Sequence, residues 1–514
     1  MRTQNSFLNI VSNCMCYVVL MLSGFVIRKL FAETLGMQCV GIDGRFTDYV
    51  AVLTIIEINL GMNFIYKLYD PIARRDIEQI SLIITFLKKS YTIIVISILA
   101  LGVFFSYFAV NSINEGFDKS WLFRVFFLYL ADTVCSYFYY HKRMMIIANQ
   151  QSRVIGKIRA CCLIVLSIVQ FLILKISKSF EIYVFAKIIS RITENIFISR
   201  EFKKKYSDID TNVKINLSEE KKSEIFKNIK AMLFHKIGGA GLNQISSIIF
   251  GLVALSLSES GIYYNYVLIV TALLGISSEF FKGITASFGN LITTEKTKKV
   301  EENFNVIFLI NFFIYSFFCS SFFCISGPFM KFWISKPDAH FGLIMTAAIT
   351  LNLYIYGMRQ SIGMAKESVG IYVQDRYFPI LETIVNFAFS YFLTRKIGII
   401  GVVIGSILSS SISFITYPFF VYKILFKKSS VEYYKKYLIY AIISLFEVII
   451  CHYCTQIFDT QSNFLKIATN LAICLIISVI ANIMIFYRTR EFSRIVSSFF
   501  ELFNRFRDKF VSKR

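Results

Sequence analysis

Charge is scarce in this chain of 514 residues: Asp, Glu, Lys and Arg together make up 17%, against about a quarter in soluble proteins. That shortage excludes a string of soluble domains with polar helix faces throughout. Proline is rare at 5 residues and glycine stands at 24, too few for a collagenous or Pro-rich disordered chain. No GxxxxGK[ST] run occurs, and the polar connections are too short for a nucleotide-binding domain, so ATP hydrolysis by this chain is not expected.

What the chain has is apolar. Hydrophobic residues reach 56%, including 54 Phe and 29 Tyr, which excludes intrinsic disorder and fills about fourteen spans at roughly 20 residues each. Windows of spanning length lie near 9–31, 46–66, 90–110, 121–140, 160–176, 180–197, 232–256, 261–289, 305–328, 340–358, 378–394, 399–421, 438–456 and 467–487. The expectation is an all-α polytopic membrane protein of about 14 transmembrane helices, with twelve or thirteen if the weaker windows fail. The first window lacks an Ala-x-Ala-like cleavage site and reads as a retained helix.

The net charge of +22, from 55 Lys+Arg against 33 Asp+Glu, invites a nucleic-acid reading until its placement is examined. With the N-terminus inside, the inner connections hold 39 Lys/Arg and the outer ones 11, and five fall within spans. That asymmetry is the positive-inside pattern, it places both termini in the cytoplasm, and it leaves no basic stripe for a nucleic acid. The eleven cysteines lie mostly inside apolar runs, where they pack as small hydrophobes. Cys451 and Cys454 form a CxxC beside His452, but no second ligand pair completes a zinc site, so no metal is expected.

The longest polar stretch separates two sets of six windows. The expected organisation is an N-terminal six-helix lobe (1–200), a cytoplasmic linker (201–230), a C-terminal six-helix lobe (231–428), two additional helices (429–487) and a basic amphipathic tail (488–514) suited to an anionic leaflet. Six is even, so both lobes enter the bilayer from the same side, and a structural repeat between them would be parallel. The outer loops, about twenty residues at most, leave no room for an external catalytic domain of the kind a polymerase or glycosyltransferase needs.

Charges inside spans are costly unless they face a wet cavity or a partner, so each marks a functional candidate. The first half contributes Arg28, Glu57, Arg124, Asp132, Lys187, Arg191 and Glu194, and the second His235, Lys236, Glu279, Lys282, Glu382 and Glu447. Cations equal or outnumber acids near several spans, which suits an anionic cargo, and Arg offers a planar fork to phosphate oxygens. The cavity cations are read as Arg124, Arg28, Lys187, Arg191, Lys236 and Lys282, with Arg124 foremost because Asp132 lies two turns along the same helix face. Glu279 with Lys282, and Arg191 with Glu194, are three apart and would equally serve as local pairs. Asp375 and Arg376, between the tenth and eleventh windows, are read as an inner gate or as a helix-end ion pair.

The chain also resembles the bacterial polysaccharide flippases, the Wzx-type branch of the MATE-like exporter superfamily. The resemblance rests on Phe25 to Phe31 (FVIRKLF), Leu35-Gly36, Gly41, EINLGMNFIYKLYDPIARRD (57–76), HKIG (235–238), YYNYVLI (263–269), ASFGNLITTE (286–295), LNLYIYGMR (351–359), GIYVQDRYFPILETIVNFAFS (370–390) and GIIGVVIGSILSS (398–410). It implies a 14-helix exporter that carries an undecaprenyl-pyrophosphate-linked oligosaccharide from the inner to the outer leaflet of the bacterial inner membrane by alternating access. Its partners would be membrane lipids and the polymerase and glycosyltransferases of the same pathway. One departure is informative: relatives commonly carry an Asp one helix turn past the Asn after HKIG, where this chain has Asn243, Gln244 and Ser246. Coupling to Na⁺ or H⁺, if any, would then rest on Glu57, Asp132 or Glu279. The alternative readings are an ion-coupled multidrug antiporter of the same superfamily and, disfavoured by the short outer loops, a membrane glycosyltransferase or polymerase.

Overall fold

In a bilayer every backbone N–H and C=O has to be satisfied within the chain, which leaves helices as the solution for isolated apolar runs. The computed structural model describes residues 21–54, 57, 60–213, 244–334, 340–371, 374–458, 462–498 and 500; the regular structure among them is helical, with no strand.

Helix α1 (21–35) and α2 (Met37–Leu53) are parted by Gly36 at φ +88°, a conformation glycine adopts without steric cost. They are followed by α3 (Leu60–Arg74), α4 (Ile77–Asn111), α5 (Lys119–Tyr137), α6 (Tyr140–Ala148), α7 (Ser152–Ile176) and α8 (Phe180–Lys205). Capping marks several starts. Asp76 accepts from Gln79 N at 2.9 Å, Asp118 from Trp121 N at 2.9 Å, and Ser179 from Ile182 N at 3.4 Å, each satisfying an orphan donor of a first turn. Lys203, Lys204 and Lys205 end α8, where the helix dipole favours cations.

Next come α9 (244–252), α10 (Leu257–Thr294), α11 (Thr297–Ile334), α12 (Leu343–Val369), α13 (Phe378–Ile397), α14 (Ile400–Val421), α15 (Val431–Ile457) and α16 (Asn463–Phe486). A π-helical turn, Tyr422–Phe426, closes α14. Seven helices among the described residues are each long and apolar enough to cross a membrane, and α5 with α6, bent by 43°, makes an eighth if counted as one broken span. The chain is an all-α, multi-pass membrane protein, its architecture that of about 14 transmembrane helices.

Two expected elements change. The window 46–66 is two helices, α2 and α3, and 28–45, which the count of outer Lys/Arg assigns to the first outer connection, is helical on both sides of Gly36. The reason is that Arg28, Asp43 and Arg45 lowered the local hydropathy, yet all three are paired inside the protein. Part of the expected linker (214–230), the start of the seventh window (232–243) and most of the basic tail (499 and 501–514) lie outside the described residues.

The described chain divides into two compact units, one from Met15–Asn265 with Arg376–Gly405, the other from Tyr266–Asp375 with Ser406–Arg514. In the first, Ile84, Leu87, Tyr91, Leu130 and Ile198 anchor a fully buried apolar core. In the second, α11 is central, with α12, α15 and α16 packed on it, and Phe304, Phe312 and Tyr315 are buried along its length. Leu475, Ile476, Val479, Ile480 and Ile483 of α16 are exposed. In a soluble protein that stripe would be a liability; in a spanning helix it is the face that lipid covers.

Candidate functional site

A carboxylate at the centre of the first unit organises the candidate site. Cys39, Ile42, Asp43, Phe46, Tyr49, Val50 and Leu53 recur at helical spacing along α2 and are buried, a period that passes straight through the acid. Asp43 is thereby carried into the interior with its apolar neighbours. There Arg28 Nη1 of α1 lies 2.8 Å from Oδ2 and Lys187 Nζ of α8 lies 3.1 Å from Oδ1. The Tyr129 hydroxyl of α5 donates to the same Oδ1, and the Lys187 ammonium stands over the Tyr129 and Tyr183 rings at 5.0 and 5.1 Å. The side chains of Arg28 and Lys187 retain 17% and 24% of their exposure, so the two cations are held in place without being sealed off.

Helix α8 continues the array because Lys187, Arg191 and Glu194 are four and three residues apart and share a face. Arg191 Nε lies 3.4 Å from Asp132 Oδ1 on α5, and its Nη1 lies 3.7 Å from Glu194 Oε2. Glu194 is held more closely by Arg143 Nη2 of α6, at 2.6 Å. Four cations, Arg28, Lys187, Arg191 and Arg143, therefore meet three carboxylates, Asp43, Asp132 and Glu194, across α1, α2, α5, α6 and α8. The array carries one positive charge more than it neutralises.

Of the residues expected from sequence, the structure brings together Arg28, Lys187, Arg191 and Asp132. Arg124 stands apart: it lies near the start of α5 with its side chain 61% exposed, 3.0 Å from Glu181 at the start of α8. Glu57 accepts from the Tyr91 hydroxyl at 3.0 Å. Lys282 and Glu279 pair locally at 2.7 Å, with Lys282 exposed. Asp375 pairs with Lys366 of α12, whose ammonium sits 4.1 Å from the centre of the Tyr417 ring, and Arg376 stacks over Tyr377 at 4.6 Å. Lys236, with His235, lies outside the described residues.

Asp43, Tyr129 and Arg143 were missed in the sequence. Asp43 lies in the connection between the first two windows, and the signal that could have found it is the i, i+4, i+7 spacing of Ile42, Phe46 and Tyr49 that runs past it. Arg45, also missed, is fully buried, and its Nη2 donates to Leu255 O at 2.5 Å and Ser260 Oγ at 2.7 Å. It satisfies the turn that leads into α10, and so fixes the helix that carries Asp43.

No protein-family model matches this sequence, and no curated protein does. Solved structures do match in fold. A lipid II flippase MurJ, in an inward closed conformation, aligns at TM-score 0.67 and 13% identity over 92% of this chain and 98% of its own. A multidrug resistance MATE family transporter of the MOP superfamily, inward-facing, aligns at 0.56 and 14% over 81% and 99%. The Vibrio cholerae MATE transporter VcmN, in a mutant form, aligns at 0.52 and 12% over 83% and 99%. At such identities the likeness is one of architecture: this chain has the fold shared by the MurJ flippase and the MATE transporters.

Proposed function

We propose that the protein is a transporter that flips a lipid-linked oligosaccharide across the bacterial inner membrane, with Arg28 and Lys187 receiving the pyrophosphate. The observation that carries this reading is their convergence on one carboxylate from two helices. An acid that holds two cations at hydrogen-bond distance presets them for an anion with several oxygens. A phosphate entering beside Asp43 would meet the surplus charge, and Arg191 lies one turn along α8 to take part of the remainder. The polyprenyl chain needs no polar site, because lipid solvates it. Alternating access supplies the movement, and no group here is asked to make or break a covalent bond.

The lipid II flippase named above moves a lipid-linked cargo, which supports this reading by analogy of fold. The MATE likeness supports a second, a multidrug antiporter. Asp48 favours it in part, being a half-buried acid whose hydrogen bond comes from Ser247 and not from a cation. The cation surplus around Asp43 favours the anionic cargo.

The experiment is a deletion strain complemented with variants. Arg28→Ala and Lys187→Ala should each lower surface polymer by about tenfold or more, the worth of one charge-assisted phosphate contact, while lipid-linked repeat units accumulate on the cytoplasmic face. Unchanged glycan with altered resistance to cationic drugs would transfer the assignment to the antiporter.

A further inference from the structure

Glu447 lies in the second unit, in the interior of α15, a helix apolar enough to span the membrane, and is 2% exposed. Its helix packs on α11 and α16. The polar neighbours of its carboxyl are the hydroxyls of Ser316 on α11 and Ser478 on α16. Neither reaches hydrogen-bond geometry, and both carboxyl oxygens stand without a hydrogen-bond partner among the described residues. Asn482, one turn beyond Ser478 and 6% exposed, repeats the pattern. Its Nδ2 donates to Ser316 Oγ at 3.4 Å, while its Oδ1 has no hydrogen-bond partner among the described residues.

The protons nearby are already committed. Ser316 donates to Phe313 O at 3.4 Å and Ser320 to Ser316 O at 2.9 Å, with Ser320 and Ser478 hydroxyls 3.4 Å apart. The titratable neighbour from α11 is Cys319, and α16 presents Cys474, which packs with Cys324 and Cys451 in an apolar cluster of its own. No Lys or Arg partners Glu447 among the described residues. Three helices thus converge on a surplus of oxygen acceptors around one acid, where an ionised carboxylate left alone is costly.

A proton on Glu447 would satisfy one of these oxygens. A small hard cation satisfies the carboxylate, amide and hydroxyl oxygens together and cancels the single charge. We propose that Glu447, Asn482, Ser316 and Ser478 form a binding site for a dehydrated monovalent cation of the Na⁺ class between α11, α15 and α16. The site is independent of the cargo and of the Asp43 array, so its test needs no substrate.

The test is thermal unfolding of the purified full-length protein in detergent, titrated with NaCl at constant ionic strength against choline chloride. Bound Na⁺ should raise the unfolding midpoint saturably, and the apparent affinity should weaken as the solution is acidified, because protons compete for the carboxylate. Glu447→Gln should abolish the response, and Asn482→Ala should weaken affinity by about tenfold, the worth of one ligand, with helical circular dichroism unchanged. No sodium-specific stabilisation, or one that persists unaltered in both variants, overturns the proposal. So does a pH-dependent midpoint that Glu447→Gln removes without any cation response, which would make Glu447 a proton site only. If Glu447→Gln does not fold, Asn482→Ala and Ser478→Ala decide the matter by the same titration.

Discussion

Lys187 reaches back across 144 residues of sequence to place its ammonium 3.1 Å from Asp43 Oδ1. That pairing, with Arg28 on the other oxygen, holds α1, α2 and α8 together through one carboxylate. Removing the acid would leave two cations facing each other in a largely buried site. Asp43→Ala is expected to cost about 3–5 kcal/mol, the range for breaking a buried ion pair from one side. Asp43→Asn should cost less, because the amide oxygen can still accept from Tyr129 or Lys187. Thermal or denaturant unfolding in detergent measures both; equal midpoints for Asp43→Ala and wild type would show that the carboxylate organises nothing.

Arg28 and Arg124 make a matched contrast. Both are arginines paired with one acid, but Arg28 retains 17% exposure and Arg124 61%. An exposed pair is worth about 0–1 kcal/mol, so Arg124→Ala should leave stability and export near wild type where Arg28→Ala lowers surface polymer by about tenfold or more. Surface polymer in the complemented deletion strain reads the difference. Loss of polymer in Arg124→Ala, with the protein still inserted, would move the substrate site toward the N-terminal end of α5.

The second unit contains a packing test. A Cβ on Gly357 of α12 would enter the ring of Tyr315 on α11, whereas one on Gly363 meets nothing within 4 Å. Tyr315 is fully buried and its hydroxyl bonds with Ser277, so it has no free direction in which to yield. Gly357→Ala should therefore destabilise by about 1–3 kcal/mol, as overpacking does, and Gly363→Ala by less than about 0.5 kcal/mol. Unfolding midpoints of the two single variants decide it.

Acid should loosen the end of the chain. Burial opposes ionisation of Glu491, but the hydrogen bond from Lys436, 3.0 Å away, overrides it and holds the carboxyl below its ordinary range. A depressed folded value means that the stabilisation is fully present above the unfolded value, about 4.3 for Glu, and is lost as pH falls through the folded one. Hydrogen exchange over 488–498 should therefore accelerate below about pH 4 relative to the rest of the protein. Glu491→Gln should show the faster exchange already at neutral pH; an unchanged rate there would remove the Lys436 contact as the cause.

Much of the fold was legible in the sequence for one physical reason: in a membrane, hydropathy and hydrogen-bond satisfaction act on contiguous stretches of chain. Long apolar runs must be helices whatever they pack against, so α4, α7, α11, α15 and α16 fall where the windows at 90–110, 160–176, 305–328, 438–456 and 467–487 lie. Where charges interrupt the run, the same reasoning fails. The stretch 28–45 reads as a loop on local hydropathy, although Asp43 is paired with the distant Lys187 and Arg45 is hydrogen-bonded to the distant Leu255 O.

The sequence by itself therefore determined an all-α, multi-pass membrane chain, because that follows from each segment's own free energy in lipid and water. Which charges face one another was decided by the tertiary structure alone. Arg191 meets Asp132, 59 residues away, as well as its neighbour Glu194, while Arg143 takes Glu194 from another helix. Such pairings depend on how helices pack, and helix packing is set by side-chain shape along whole faces, which no local window contains.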